Sequence, residues 1–143
     1  MLPTPAKFHY VFNMRDLSRV FKGILSVRKE TINTAAQVGP MKSDVFLVGL
    51  WMHECERVFV DKMTNQKDKD QVVGYIKDIA LDLFNHLDSE IQDKFAKEKI
   101  FLMCDFLKED VKNEDGLVEV EAEKIYEAVN SLDRLRLRCN NLL

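Results

Sequence analysis

Helix breakers are scarce in this chain and clustered where they interrupt little. Two of its three prolines stand in the first five residues, and only five glycines are spread over 143 positions. Between them, apolar residues recur every three or four positions over long stretches. That spacing puts them on one face of a 3.6-residue helix. Few turn formers and long periodic runs together predict an all-α fold.

The first helix has the clearest start, Asn13-Met14-Arg15-Asp16. Asn13 can accept from an amide of the first turn, and Asp16 puts a negative charge near the positive helix end. The helix is expected to run from Met14 to about Lys29, with Leu17, Val20, Phe21, Ile24 and Leu25 on its apolar face. Gly23 lies inside this pattern and weakens the helix by about 1 kcal/mol relative to alanine, so a close packing neighbour is expected there. Before it, residues 1–12 read as an extended lead-in, because Pro3 and Pro5 disfavour helix for their predecessors. Phe8 to Phe12 fits either a short strand or a packed extended segment.

Residues 30–42 lose the period and contain the turn signal Gly39-Pro40. A second helix is expected from Asp44, capped by Ser43, to Met63, with Leu47, Leu50, Trp51, Cys55, Val58 and Phe59 buried. Thr64 to Lys69 reads as a loop. A third helix, Asp70 to Leu87, would bury Val72, Val73, Ile76, Ile79, Ala80, Leu83 and Phe84. Asp88 or Ser89 could cap a fourth carrying Ile91 and Phe95. The apolar run Ile100 to Leu107 is compatible with helix or buried strand. Residues 108–116 read as an exposed acidic loop. Two more helices are expected at 120–130 and 132–141, the last with a stripe of Leu132, Leu135 and Cys139. It reaches Leu143 without a stop signal, which reads as a piece cut from a longer chain.

Composition excludes several roles. The formal charge is −3, so no broad basic footprint for nucleic acid is expected. No apolar run approaches the roughly 20 residues that cross a bilayer, and the start lacks the pattern of a signal peptide. Cys55, Cys104 and Cys139 are far apart and odd in number, which suits free thiols in a reducing compartment. No glycine-rich phosphate loop is present, so ATP hydrolysis by this chain alone is not expected. His53-Glu54-Cys55 has Arg57 where a zinc motif of the His-Glu-x-x-His kind needs its second histidine. His53 and Cys55, two apart on a helix, point in different directions and make a poor base–nucleophile pair. His9 and His86 have no evident partners.

Arg15 stands apart. A cation in the first turn of a helix opposes the dipole. A salt bridge with Asp16, or a contact with a carboxylate elsewhere, would account for it. So would a positive tip aimed at an anion that also meets the exposed amides.

Around these residues the chain resembles a known family. Pro5 to Leu25, including Phe12-Asn13-Met14-Arg15-Asp16-Leu17, is similar to the start of the small helical lid of the third AAA+ module in axonemal dynein heavy chains. Leu50-Trp51-Met52-His53-Glu54-Cys55-Glu56-Arg57-Val58-Phe59-Val60-Asp61-Lys62 looks like the second lid helix of that family. Asp105-Phe106-Leu107 and Ile125-Tyr126-Glu127 with Leu135-Arg136 resemble the segment leading toward the fourth module. About half the chain carries the likeness.

The resemblance implies an AAA+ lid-like helical bundle with a C-terminal helical extension. Residues 1–12 would lead in from the missing large part, 13–107 would form the lid, and 108–143 an acidic loop and linker. Arg15 occupies the place of an arginine that senses nucleotide phosphates, whereas Arg19 and Arg57 receive no role. ATP or ADP would belong to the intact parent module only, with none bound by the isolated chain. The partners implied are the large α/β part of the same module and the neighbouring module, with microtubules reached only through the full motor. The implied location is the cytoplasm and the ciliary axoneme. An excised lid would leave its docking patch bare, with Phe8, Tyr10 and Phe12 as candidates. The rival reading is an independent helical interaction module that offers a groove to a partner peptide.

Overall fold

The computed structural model describes residues 2–38, 42–87, 89, 101–129 and 131–143. Helices dominate, and they arrange around one that is apolar on almost every side. This is α3, Ser43–Cys55, in which Val45, Phe46, Val48, Gly49, Leu50, Met52, Glu54 and Cys55 are all buried. A helix without a polar face has to be the core of its bundle. Its first turn is capped without a side chain: Lys42 stands at the cap position in place of the expected Ser43. Leu47, expected inside, is exposed. Beyond Cys55 the helix widens into a π segment, Glu56–Val60, closed by the Asp61 amide donating to the Glu56 carbonyl at 3.1 Å.

Helix α1, Met14–Leu25, packs on α3. It stops four residues before the expected end, where the Ser26 hydroxyl donates to the Gly23 carbonyl at 2.6 Å. A separate helix α2, Lys29–Val38, then occupies a stretch that the sequence marked as loop. Its period is weak, but Ile32 packs into a cluster with Phe46, Leu50 and Met103. Tertiary packing thus supplies what the local pattern lacks. Helix α4, Gln66–Leu83, starts four residues earlier than expected because Asn65 caps it, accepting from the Lys67 amide at 3.0 Å. Ile76 and Ala80 join the main core of Val20, Val45, Val48, Met52, Cys55, Val58 and Val60. Ile79 and Leu83, expected inside, are exposed. The expected helix with Ile91 and Phe95 lies outside the described residues.

After residue 100 the chain is extended. Strand β1, Met103–Cys104, pairs antiparallel with β4, Glu127–Ala128. Strand β2, Val111–Lys112, pairs with β3, Val118–Val120, across a bulge. Gly116 makes the intervening turn at φ 78°, a left-handed conformation that side chains disfavour. The helix expected over 120–130 is therefore not formed. Val118-Glu119-Val120-Glu121 alternates with period two, a strand signal that outweighs its acidic composition. Helix α5, Leu132–Leu142, does form, capped by Ser131, but buries no residue. Leu135 is half-buried, and Leu132 and Cys139 are exposed. Arg138 ties α5 to the preceding segment through the carbonyls of Phe106 and Lys108, each at 2.9 Å. The described residues are mostly helical, as the sequence indicated, with short strands between 103 and 128. Among the described residues no helix is long and apolar enough to cross a membrane.

Candidate functional site: the tip of the first helix

The lead-in determines where α1 begins. After a 3-10 turn at Pro5–Lys7, the chain from Phe8 to Phe12 is anchored at Tyr10, and the ring of His9 lies edge-on to Phe8 and Tyr10. Tyr10 is only 2% exposed. Its hydroxyl donates to Asp68 Oδ2 at 3.0 Å and accepts from the Thr64 amide at 3.2 Å. Lys7 reaches the same carboxylate at 2.5 Å. The lead-in is thereby fastened to the first turn of α4. The lysine's hydrogen bond holds the Asp68 carboxyl below the usual range.

At the tip itself, Asn13 Oδ1 accepts from the amides of Arg15 and Asp16 at 3.0 and 3.3 Å. Asp16 Oδ2 accepts from the Asn13 amide at 3.2 Å, completing a reciprocal cap. The cap expected from sequence is present. It also changes the chemistry on offer, because those two amides are already bonded and are not available to an anion. Asp16 is buried, and its carboxylate is neutralised by Lys62 at 3.0 Å and Arg19 at 3.3 Å. The bond from Lys62 lowers the Asp16 pKa against the opposing effect of burial. Asp16 thus pairs with those cations rather than with Arg15. Arg15 is exposed, and among the described residues no ion pair to its guanidinium is found. Any anion here would be met by that side chain.

Below the tip, α1 turns one edge inward and the other to solvent. Val20 is buried and Ile24 packs between the two apolar clusters. Met14, Leu17, Phe21 and Leu25 point outward, with Phe21 56% and Leu25 82% exposed. The sequence placed Leu17, Phe21 and Leu25 in the core. They instead form a second apolar stripe, continuous in type with exposed Phe8 and Phe12. Of the three lead-in aromatics expected to be bare, Tyr10 is the exception, because both its ring and its hydroxyl find partners.

Sequence reasoning missed one cluster entirely. Glu54 is a carboxylate with no exposure at the C-terminal end of α3. Arg57 donates to its Oε2 through Nε at 3.0 Å and Nη2 at 2.7 Å. The Tyr126 hydroxyl, from the segment before β4, donates to Oε1. Gly23 of α1 lies against the same carboxylate: a Cβ added there would stand 2.8 Å from Oε1 and closer still to Oε2. One acid thus joins α1, α3, the π segment and the C-terminal segment. The available signal was an acid at the end of an apolar run, with an arginine three residues on. Burial and the bond to Glu54 push the Tyr126 phenol up, and Arg57 is held charged by the same carboxylate. His53, beside the Tyr126 ring, has its pKa lowered by burial, and its Nε2 has no partner among the described residues.

Cys55 adjoins this cluster, and burial raises its thiol to about 11. Cys139 is exposed on α5. Alkylation of the native chain at pH 8 should therefore modify Cys139 first and Cys55 only after unfolding, since thiolate and access are both needed. Equal rates, read by peptide mass mapping, would mean that α3 is not the core.

A family model described as an AAA+ lid domain matches residues 1–96. Among curated relatives, the chain is similar to the dynein gamma chain of the flagellar outer arm of Chlamydomonas reinhardtii, with 42% identity over 76% of this chain and 2% of the relative. It is 35% identical to mouse dynein axonemal heavy chain 5 over its whole length, which is 3% of that protein. A ciliary dynein beta chain of the sea urchin Heliocidaris crassispina is 42% identical over 73% of this chain and 2% of the relative. The chain spans only a few per cent of the length of these relatives.

Proposed function

The chain belongs to the AAA+ lid domain family, and on that footing we propose that it is the small helical lid of one module of an axonemal dynein heavy chain, with Arg15 as its sensor of nucleotide phosphates. The observation that carries this reading is the tip of α1: an exposed arginine with no ion pair among the described residues, on a helix start fixed by its own cap. A guanidinium offers a planar fork of donors suited to phosphate oxygens. The similarity of Pro5 to Leu25 to the third module of dynein favours that position in the ring.

In this reading residues 1–12 lead in from a large α/β part, 13–107 make the lid, and 108–143 run toward the next module. The stripe of Met14, Leu17, Phe21 and Leu25 is the face that meets the large part. The chain carries no catalysis itself and belongs to an ATP-driven motor that reaches microtubules through its other parts, in the axoneme of a cilium. Nucleotide in the parent module would favour one angle between large part and lid, provided it binds the two arrangements with different affinity. The lid then passes that rotation on as a rigid body. Glu54 supports such rigidity, because it ties the sensor helix to the segment that leaves the lid.

Arg15→Ala tests the sensor. The lid should remain folded, since an exposed substitution shifts stability by only about 0.5 kcal/mol. In a heavy chain carrying this lid, nucleotide affinity of the module should fall roughly ten- to hundredfold, the loss of one charge-assisted contact. Unchanged affinity would overturn the sensor role. A lid that binds an isolated peptide through the α1 stripe, with no nucleotide response in the motor, would favour the interaction-module reading instead.

A further inference from the structure

The cap of α1 is bonded from outside as well as from within. Lys62 stands just beyond the π segment, 46 residues from Asp16 in sequence. Its ammonium donates to Asp16 Oδ2 at 3.0 Å and to the Val11 carbonyl at 2.9 Å. It also stands over the ring of Phe12, 4.4 Å from the centroid, with Phe59 at 5.9 Å. Phe12 and Phe59 pack against each other at 6.0 Å. One side chain therefore touches the last residues of the lead-in, the first turn of α1 and the end of the π segment. The π segment, with its one extra residue per turn, lies between α3 and Lys62.

We infer that Lys62 is a positioning residue for the nucleotide response: by pinning Val11 and Asp16 together it fixes the direction in which the first turn of α1 presents Arg15. The inference rests on the sensor reading of Arg15. Lys62 itself is engaged by Asp16 and Val11 and does not reach toward an anion. Arg19 also neutralises Asp16, but from the same helix, one turn on. It cannot tie the lead-in to α1. Without Lys62 the acid of the cap would keep its bond to Asn13, while the lead-in carbonyl and the π segment would lose their hold on the tip.

The test is a double-substitution cycle in a heavy chain carrying this lid, with ADP affinity at the parent module as the readout. Lys62→Met keeps an unbranched apolar side chain of similar length and removes the charge that stands over Phe12 and bonds Asp16. It should weaken ADP binding nearly as much as Arg15→Ala, roughly tenfold or more, and should add little in the Arg15→Ala background, as coupled residues do. Lys62→Arg should restore most of the affinity, a recovery that loss of packing would not produce. If Arg15→Ala weakens binding while Lys62→Met leaves it unchanged, or if the two effects multiply in full, Lys62 does not act through Arg15 and the inference is overturned, with the sensor intact. If Arg15→Ala has no effect, the sensor reading fails first and this inference falls with it.

Discussion

Gly23→Ala should be among the most damaging single substitutions in the chain, although alanine is the better helix former. In an exposed helix interior the change gains about 1 kcal/mol. Here the methyl group would be driven into the Glu54 carboxylate. That acid cannot step aside, because Arg57 holds one oxygen and Tyr126 the other, and no part of Glu54 reaches solvent. Overpacking a filled core costs about 1–3 kcal/mol, and forcing a buried pair apart about 3–5 kcal/mol. The expected net loss is about 3 kcal/mol, a large part of the stability of a domain this size. Urea unfolding of the purified chain measures it. A Gly23→Ala variant as stable as the parent would show that α1 does not approach α3 at that carboxylate.

The same position shows how much was legible in the sequence. A glycine inside a periodic helix signals a close neighbour, and the neighbour is there. Its identity was not legible, because it lies 31 residues away on another helix, beside a second acid, Glu56, that is not buried. The cap at Asn13 could be read because every atom of it lies within four residues. The clamp of Lys62 on that cap could not, since its two ends lie 46 residues apart. Periodicity gave α1, α3 and α4, whose patterns are strong, but erred on faces. It assigned Leu17, Phe21 and Leu25 to the core because apolar spacing marks a stripe without saying whether the rest of the chain covers it. It missed α2, which Ile32 anchors through contacts distant in sequence. Over 118–128 the acidic composition masks the alternation, and strands form where helix is expected. For Arg15 the residue's oddity was visible from the dipole alone. Only the structure shows that its neighbouring amides are taken, which leaves the guanidinium to meet any phosphate.

Glu54→Ala should cost as much as Gly23→Ala, and the two should not add. Removing the carboxylate strands the Tyr126 hydroxyl in a half-buried place and leaves Arg57 unpaired, while a gap opens beside Gly23. Breaking a buried pair costs about 3–5 kcal/mol, and because the Arg57 side chain is half exposed and can turn to water, the lower end applies. In that background the methyl of Gly23→Ala enters the space the acid vacated, so its penalty should shrink or reverse sign. Couplings between touching residues run to about 3 kcal/mol, large enough to read from urea midpoints. Tyr126→Phe isolates the third arm. It removes one donor to Glu54 Oε1, expected to cost about 1–3 kcal/mol. Its effect should be local: faster amide exchange at Val129, whose amide donates to the Leu102 carbonyl at 2.8 Å beside β1 and β4, with α1 and α4 still protected. Full additivity of Gly23→Ala and Glu54→Ala, or exchange in Tyr126→Phe rising equally everywhere, would mean that Glu54 is one more core residue. Non-additivity with a local opening would mark it as the joint between α1 and the segment that carries Tyr126.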